Sequence, residues 1–187
     1  MYKNLDDYII IFENALPEKQ LIYLNSYIRQ IEYVKHAYYD NFLEKTKTNS
    51  YDLDISKNPD FEDLSGLRNP IQTAIENYIK FFKLPFFRSV KTTTVVRINR
   101  YLEDTSMDLH CDHIYSMFDG KIKGIPVLSV LGALNDDYEG GELIFFENTK
   151  INLNAGDIMV FPSNFLFPHR VEKVTRGARY SFVSWAA

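Results

Sequence analysis

The chain has 187 residues, 45% of them apolar and 15% aromatic, with 14 Phe, 13 Tyr, one Trp and one Cys. That is enough chain and packing material for one domain with its own core, and a lone cysteine excludes an internal disulfide framework. The net charge of −4 gives no general electrostatic reason for a nucleic-acid partner.

The opening MYKNLDDYIIIFENALP puts acidic residues ahead of a short apolar run and has no cleavage pattern. No stretch nears the roughly 20 apolar residues of a membrane span. A soluble, cytoplasmic protein without a membrane partner is the expectation. Tyr8 to Phe12 (YIIIF) reads as a buried strand leading into Leu16-Pro17. From Pro17 the period becomes helical, with Leu21, Leu24, Ile28 and Ile31 on one face. A second helix is expected from Asn69-Pro70, a capping residue followed by proline, with Ile71, Ile75, Tyr78, Ile79 and Phe82 inward. It should end before Leu84-Pro85. Residues 36–60 between the helices are polar, tyrosine-rich and without a clear period, so they read as a functional flap or a surface loop.

From Lys91 the texture changes. TTTVVRINRY (92–101), IPVLSVLGAL (125–134), GELIFF (141–146), GDIMVFP (156–162), HRVEKV (169–174) and RYSFVSW (179–185) are β-rich segments. Turns are expected at Asp119-Gly120, Asn135 to Gly141, Asn154-Ala155-Gly156 and Arg176-Gly177. Strands at this spacing suggest a sandwich or barrel. The division is a helical support region over 1–90 and a β core over 91–187, an α+β layout within one domain.

Residues 107–116, MDLHCDHIYS, carry the chemistry. If 108–114 form a strand, alternation puts His110 and Asp112 on one face and Cys111 and His113 on the other. His-x-Asp supplies two ligands, and a third must come from His36 or His169. Two imidazoles and a carboxylate on one side of a metal form the facial triad of non-haem Fe(II) oxygenases. A zinc site of Cys111, His110 and His113 is the weaker reading, because adjacent strand residues point apart and there is no second cysteine. Ten residues after His169 stands Arg179, on the other arm of an expected hairpin turning at Arg176-Gly177. Its guanidinium offers a two-pronged clamp for a carboxylate, as binding a 2-oxo diacid beside the metal would require. A sheet-face salt bridge is the plainer alternative for Arg179.

Those residues resemble the Fe(II)- and 2-oxoglutarate-dependent dioxygenases, in their prolyl 4-hydroxylase-like branch. The similarity covers most of residues 92–187: Tyr101 nine residues before His110, then LNDDYEGGELIFF, GDIMVFP and PHRVEKVTRGARYSFVSW, with DDYIIIFENALPEKQ as a typical start. The resemblance implies a double-stranded β-helix, a jelly-roll of eight strands with the metal between its sheets. By it, His110, Asp112 and His169 would bind Fe(II), Arg179 would pair with the distal carboxylate of 2-oxoglutarate, and Tyr101 would hydrogen-bond that cosubstrate. Val171 and Leu131 would be apolar walls, and Trp185 either an aromatic beside the substrate or a core residue. O2 and ascorbate are implied with them. Two departures stand out. Ala133 occupies a position where many relatives have tyrosine, leaving a wider pocket or one sealed by a side chain such as Met107; Glu103-Asp104 replace common glycines. The resemblance implies hydroxylation of a prolyl residue in a protein or peptide, with succinate and CO2 as co-products. The rivals are the same chemistry on a free amino acid or other small molecule, and a jelly-roll binding module without turnover.

Overall fold

A computed structural model of the protein describes residues 4–40, 45–57, 64–83, 90, 93–112 and 125–187. Strand β1 (Ile10–Phe12) leads into α1 (Glu18–Ile28), followed by β2 (Tyr33–Lys35), β3 (Tyr38–Asp40), β4 (Lys45–Lys47) and β5 (Asp54–Ser56). Helix α2 (Arg68–Phe82) precedes β6 (Arg97–Tyr101), β7 (Met107–His110), β8 (Leu128–Ala133), β9 (Glu139–Gly140) and β10 (Leu143–Phe145). The chain continues through β11 (Thr149–Ile151), β12 (Ile158–Pro162), β13 (His169–Val171), β14 (Val174–Arg176) and β15 (Arg179–Ala186).

Two antiparallel sheets carry the fold: a seven-stranded one in the order β1-β12-β8-β15-β6-β5-β2, and a four-stranded one in the order β11-β10-β13-β7. The class is α+β, a double-stranded β-helix with helices on one sheet. Strand β15 shows how the layers arise. It is buried along its whole length, on both faces, with Arg179, Ser181 and Ser184 as its buried polar members. Tyr180, Phe182 and Ala186 enter the core shared with the helices, where Leu24, Ile28, Ile71 and Ile75 also lie. Val183 and Trp185 point the other way, into the core between the sheets. Arg179 and Ser181 share that second face by alternation. Gly132 on the neighbouring strand is required by contact: a Cβ there would lie 2.0 Å from Cε1 of Phe182.

Several expectations need correction. Residues 36–60 are not an irregular loop where described. Strands β3 and β4 form a hairpin, and β5 bridges β2 to β6 within the large sheet. The first 90 residues thus supply three strands of the large sheet and a two-stranded hairpin besides their helices. Asn69 is not the cap of α2, which begins one residue earlier behind Leu67 with no side-chain cap. The helix ends at Phe82 with Lys83 left-handed at φ 49°. Ile31 lies beyond the end of α1 but packs on the same core. The expected turn at Asp119-Gly120, the Leu84-Pro85 stop and His113 lie outside the described residues. No helix among the described residues is long and apolar enough to cross a membrane.

Candidate metal centre

Strands β7 and β13 are neighbours, and His110 stands directly opposite His169. Directly opposed residues of an antiparallel pair share a face, so both imidazoles enter the space between the sheets, with ring centroids 4.3 Å apart. The strand expected over 108–114 ends at His110, and Asp112 follows just beyond it. The carboxylate still arrives at the same place, because Ser163 Oγ donates to the Asp112 backbone oxygen at 2.8 Å and holds the departing chain. Asp112 Oδ1 lies 3.6 Å from His110 Nε2 and 3.8 Å from His169 Nε2. The three candidate ligand atoms all fall within 4.8 Å of one another.

The rings are fixed from behind. His110 Nδ1 meets the Asp108 carbonyl at 2.8 Å, and His169 Nδ1 meets the Phe167 carbonyl at 3.1 Å. A carbonyl can only accept, so each Nδ1 carries the hydrogen and each Nε2 turns a lone pair toward Asp112. Phe145 stacks on His169 with centroids 4.9 Å apart, and Phe161 meets it edge-on at 5.3 Å. Burial in this aromatic setting lowers the His169 pKa, against the pull of Asp112, and favours the neutral ligand form. Burial works against the Asp112 charge, but His110 and His169, where they carry a proton on Nε2, and Ser129 outweigh it and hold the carboxyl well below the usual range; a metal cation would take the place of those protons. Two imidazole nitrogens and one carboxylate oxygen converging on a common point, with their outer partners in place, fit a divalent metal with open positions. His36 is outside this cluster, as is Cys111, whose thiol points to the Phe165 carbonyl at 3.6 Å. The thiolate zinc site is not assembled among the described residues.

His169 and Arg179 are not arms of one hairpin. β13 belongs to the small sheet and β15 to the large one, while β14 between them pairs with β9. Arg179 therefore enters the inter-sheet space from the opposite wall. It pairs in register with Tyr101, and its guanidinium carbon lies 4.9 Å from that ring's centroid. Nη1 donates to Ser181 Oγ at 3.3 Å, and no carboxylate among the described residues pairs with it, although the side chain is only 3% exposed. A buried charge without a counter-ion is costly, so this guanidinium is suited to an anion from outside. Gly141 backs the arrangement. Its φ is +65°, and a Cβ there would lie 3.1 Å from Arg179 Cδ.

A narrow cavity lies beside the centre. Tyr101, Leu131, Val171 and Trp185 all line it. Met107 lines it too and accepts from the Tyr101 hydroxyl at 3.9 Å. Trp185 Nε1 is buried and has no hydrogen-bond partner among the described residues. Arg97, which sequence reasoning passed over, lines the outer part with its guanidinium carbon 5.1 Å from the Trp185 ring centroid. Its two-residue spacing from Asn99 and Tyr101 was the available signal.

Two sheets enclosing a two-histidine, one-carboxylate donor set form the arrangement of a non-haem Fe(II) oxygenase. Residues 96–187 match the 2OG-Fe(II) oxygenase superfamily. A PKHD-type hydroxylase of Delftia acidovorans is 37% identical over 95 residues, 48% of this chain and 41% of that protein. Among solved structures, a Trichoplax adhaerens prolyl hydroxylase bound to a hypoxia inducible factor oxygen degradation domain peptide superposes with a TM-score of 0.69. It is 18% identical and covers 96% of this chain and 83% of its own. A Pseudomonas putida prolyl-4-hydroxylase gives 0.65 at 18% identity, over 97% and 95%. The chain belongs to the 2OG-Fe(II) oxygenase superfamily and has the prolyl hydroxylase fold. It spans less than two thirds of the length of the curated relatives it matches.

Proposed function

We propose that this protein is an Fe(II)- and 2-oxoglutarate-dependent dioxygenase that hydroxylates a C–H bond of a prolyl residue in a protein or peptide. The observation that carries this reading is the convergence of His110, Asp112 and His169 opposite an unpaired, buried Arg179. His110, Asp112 and His169 would hold the iron. Bound there with 2-oxoglutarate, the metal supplies O2 activation and hydroxylation, with succinate and CO2 as co-products.

The protein's own part is positioning. Arg179 pairs with the distal carboxylate of the cosubstrate through its planar fork. Tyr101 is buried, which raises its pKa and keeps its proton; its long contact to Met107 is easily exchanged for a hydrogen bond to that carboxylate. Leu131 and Val171 pack on the carbon chain between and exclude water. Trp185 offers a flat apolar surface to the substrate at the outer end. The chain acts as one unit, with the first 90 residues supporting the β core, and works in the cytoplasm. A prolyl target is supported by the shared fold with prolyl hydroxylases, one of them peptide-bound.

Anaerobic titration of the apoprotein with Fe(II) and 2-oxoglutarate tests the site through the visible charge-transfer band of the chelate. The band should form in the native protein and fail in Asp112→Ala and Arg179→Ala. Identical behaviour of all three proteins would refute the assignment. Succinate release with ascorbate present, compared between proline-rich peptides and free proline, tests the substrate. Release with free proline alone would give the small-molecule reading, and none with any peptide pool the non-catalytic one.

A further inference from the structure

Strand β6 alternates so that Arg97, Asn99 and Tyr101 all face the cavity. Tyr101 lies at the Arg179 end. Arg97, four residues earlier, stands about 13 Å away along the strand at roughly 3.3 Å per residue. Arg97 is rooted at the Trp185 end of this face and Arg179 opposite Tyr101, which offers two places for an anion.

Arg97 is held but not neutralised. It lies over the Trp185 ring, and its Nε donates to Asn99 Oδ1 at 3.0 Å. Its terminal nitrogens have no acceptor among the described residues, and it forms no ion pair there. Burial works against its charge, and Tyr101 and then Asp112 offset that in part. A metal held by Asp112 would weaken the second of these. Among the described residues, the two guanidiniums and Asp112, with a dication and a dianionic cosubstrate, would leave one net positive charge between the sheets. One further carboxylate cancels it.

We propose that Arg97, seated on Trp185, binds a carboxylate of the primary substrate, so that the molecule hydroxylated carries a carboxylate close to its reactive C–H bond. This rests on the dioxygenase reading above and adds a substrate class to it. The carboxylate has two sources: an acidic side chain next to the target residue in a peptide, or the α-carboxylate of a terminal or free amino acid.

Trp185 is the only tryptophan, so its fluorescence reports on Arg97 without turnover. The probes are free L-proline, a blocked peptide with glutamate after proline, a peptide ending in proline, and the carboxamide form of each. They are titrated into the full chain, metal-free and then loaded with Mn(II) and 2-oxoglutarate. Carboxylate probes should saturate the response at concentrations at least about tenfold lower than their carboxamides, the scale of a charge-assisted contact. Arg97→Gln should abolish that preference while 2-oxoglutarate affinity stays native, and Arg97→Lys should keep part of it. Whichever carboxylate probe responds names the source. Equal responses to carboxylate and carboxamide in the native protein would overturn the proposal. So would an Arg97→Gln protein whose loss is in 2-oxoglutarate affinity. If the carboxylate preference holds but no chelate band or succinate appears, the dioxygenase reading fails while the anion site stands.

Discussion

Gly141→Ala tests whether the glycine pair before β10 exists to seat the cosubstrate clamp. The residue has φ +65°, and its new Cβ would stand 2.9 Å from Val174 Cγ2, 3.1 Å from Arg179 Cδ and 3.3 Å from Tyr138 Cε2. A left-handed backbone costs an alanine about 1–2 kcal/mol, and crowding of a packed site adds about 1–3 kcal/mol. At about 2–4 °C per kcal/mol for a chain of this size, the melting temperature should fall by on the order of 10 °C. The neighbour that must move is the stem of Arg179, so 2-oxoglutarate affinity should fall as well. Gly156→Ala is the control. It shares the strained backbone at φ +95°, but its nearest contact would be the Leu16 carbonyl at 3.4 Å, so stability should drop and affinity should not. Thermal melts and anaerobic 2-oxoglutarate titrations of both variants decide it. A Gly141→Ala protein with native melting and native affinity would refute the reasoning.

Gly132→Ala should be still less tolerated. Its Cβ would overlap the fully buried Phe182 ring, for a loss on the order of 3 kcal/mol that Phe182→Leu partly restores in the double variant; chemical denaturation measures both. His36 has its pKa lowered to about 4, first by burial and then by Arg97. The unfolded chain binds its proton more readily, so stability is full above about pH 6.5 and falls as pH drops toward 4. Replacing His36 with glutamine should flatten that part of a stability–pH curve, and an unchanged slope would count against it. Mn(II) at one hundred times its Kd should add about 2.7 kcal/mol of stability, or about 5–10 °C in melting temperature. A chelator should reverse the shift, and His110→Ala should abolish it.

The large sheet was readable because its central strands are buried on both faces and so are rich in apolar and small residues with few charges: LSVLGA and RYSFVSWA each carry at most one. Strands β2 to β5 were not, since YVK, YYD, KTK and DIS are short and mixed, with neither a period nor an apolar run. Their polar side chains are paired locally instead, as where Asp54 meets both Lys35 and Arg100. His110, Asp112 and His169 were grouped through a strand that stops at His110, yet the three side chains do converge. An i, i+2 pair keeps its common side when the second member is tied down by Ser163. Arg179 was placed by its residue type and distance from His169, while the hairpin offered as the reason was not there. Arg97 was missed although it keeps the period of Tyr101, because an arginine in a strand ordinarily reads as a solvated position.

The two walls of the cavity divide the chemistry between them. His110 and His169 come from paired strands of the small sheet, and Asp112 from the exit of one of them. Both cations come from paired strands of the large sheet, Arg97 opposite Val183 and Arg179 opposite Tyr101. Alternation along β6 and β15 sets the separation of the cations, and the β7–β13 register sets the separation of the imidazoles. Neither depends on loop conformation. With the proposed ligands on one wall and the proposed anion anchors on the other, anything bound would stretch across the gap in a fixed direction, which is what orienting one C–H bond toward a metal demands.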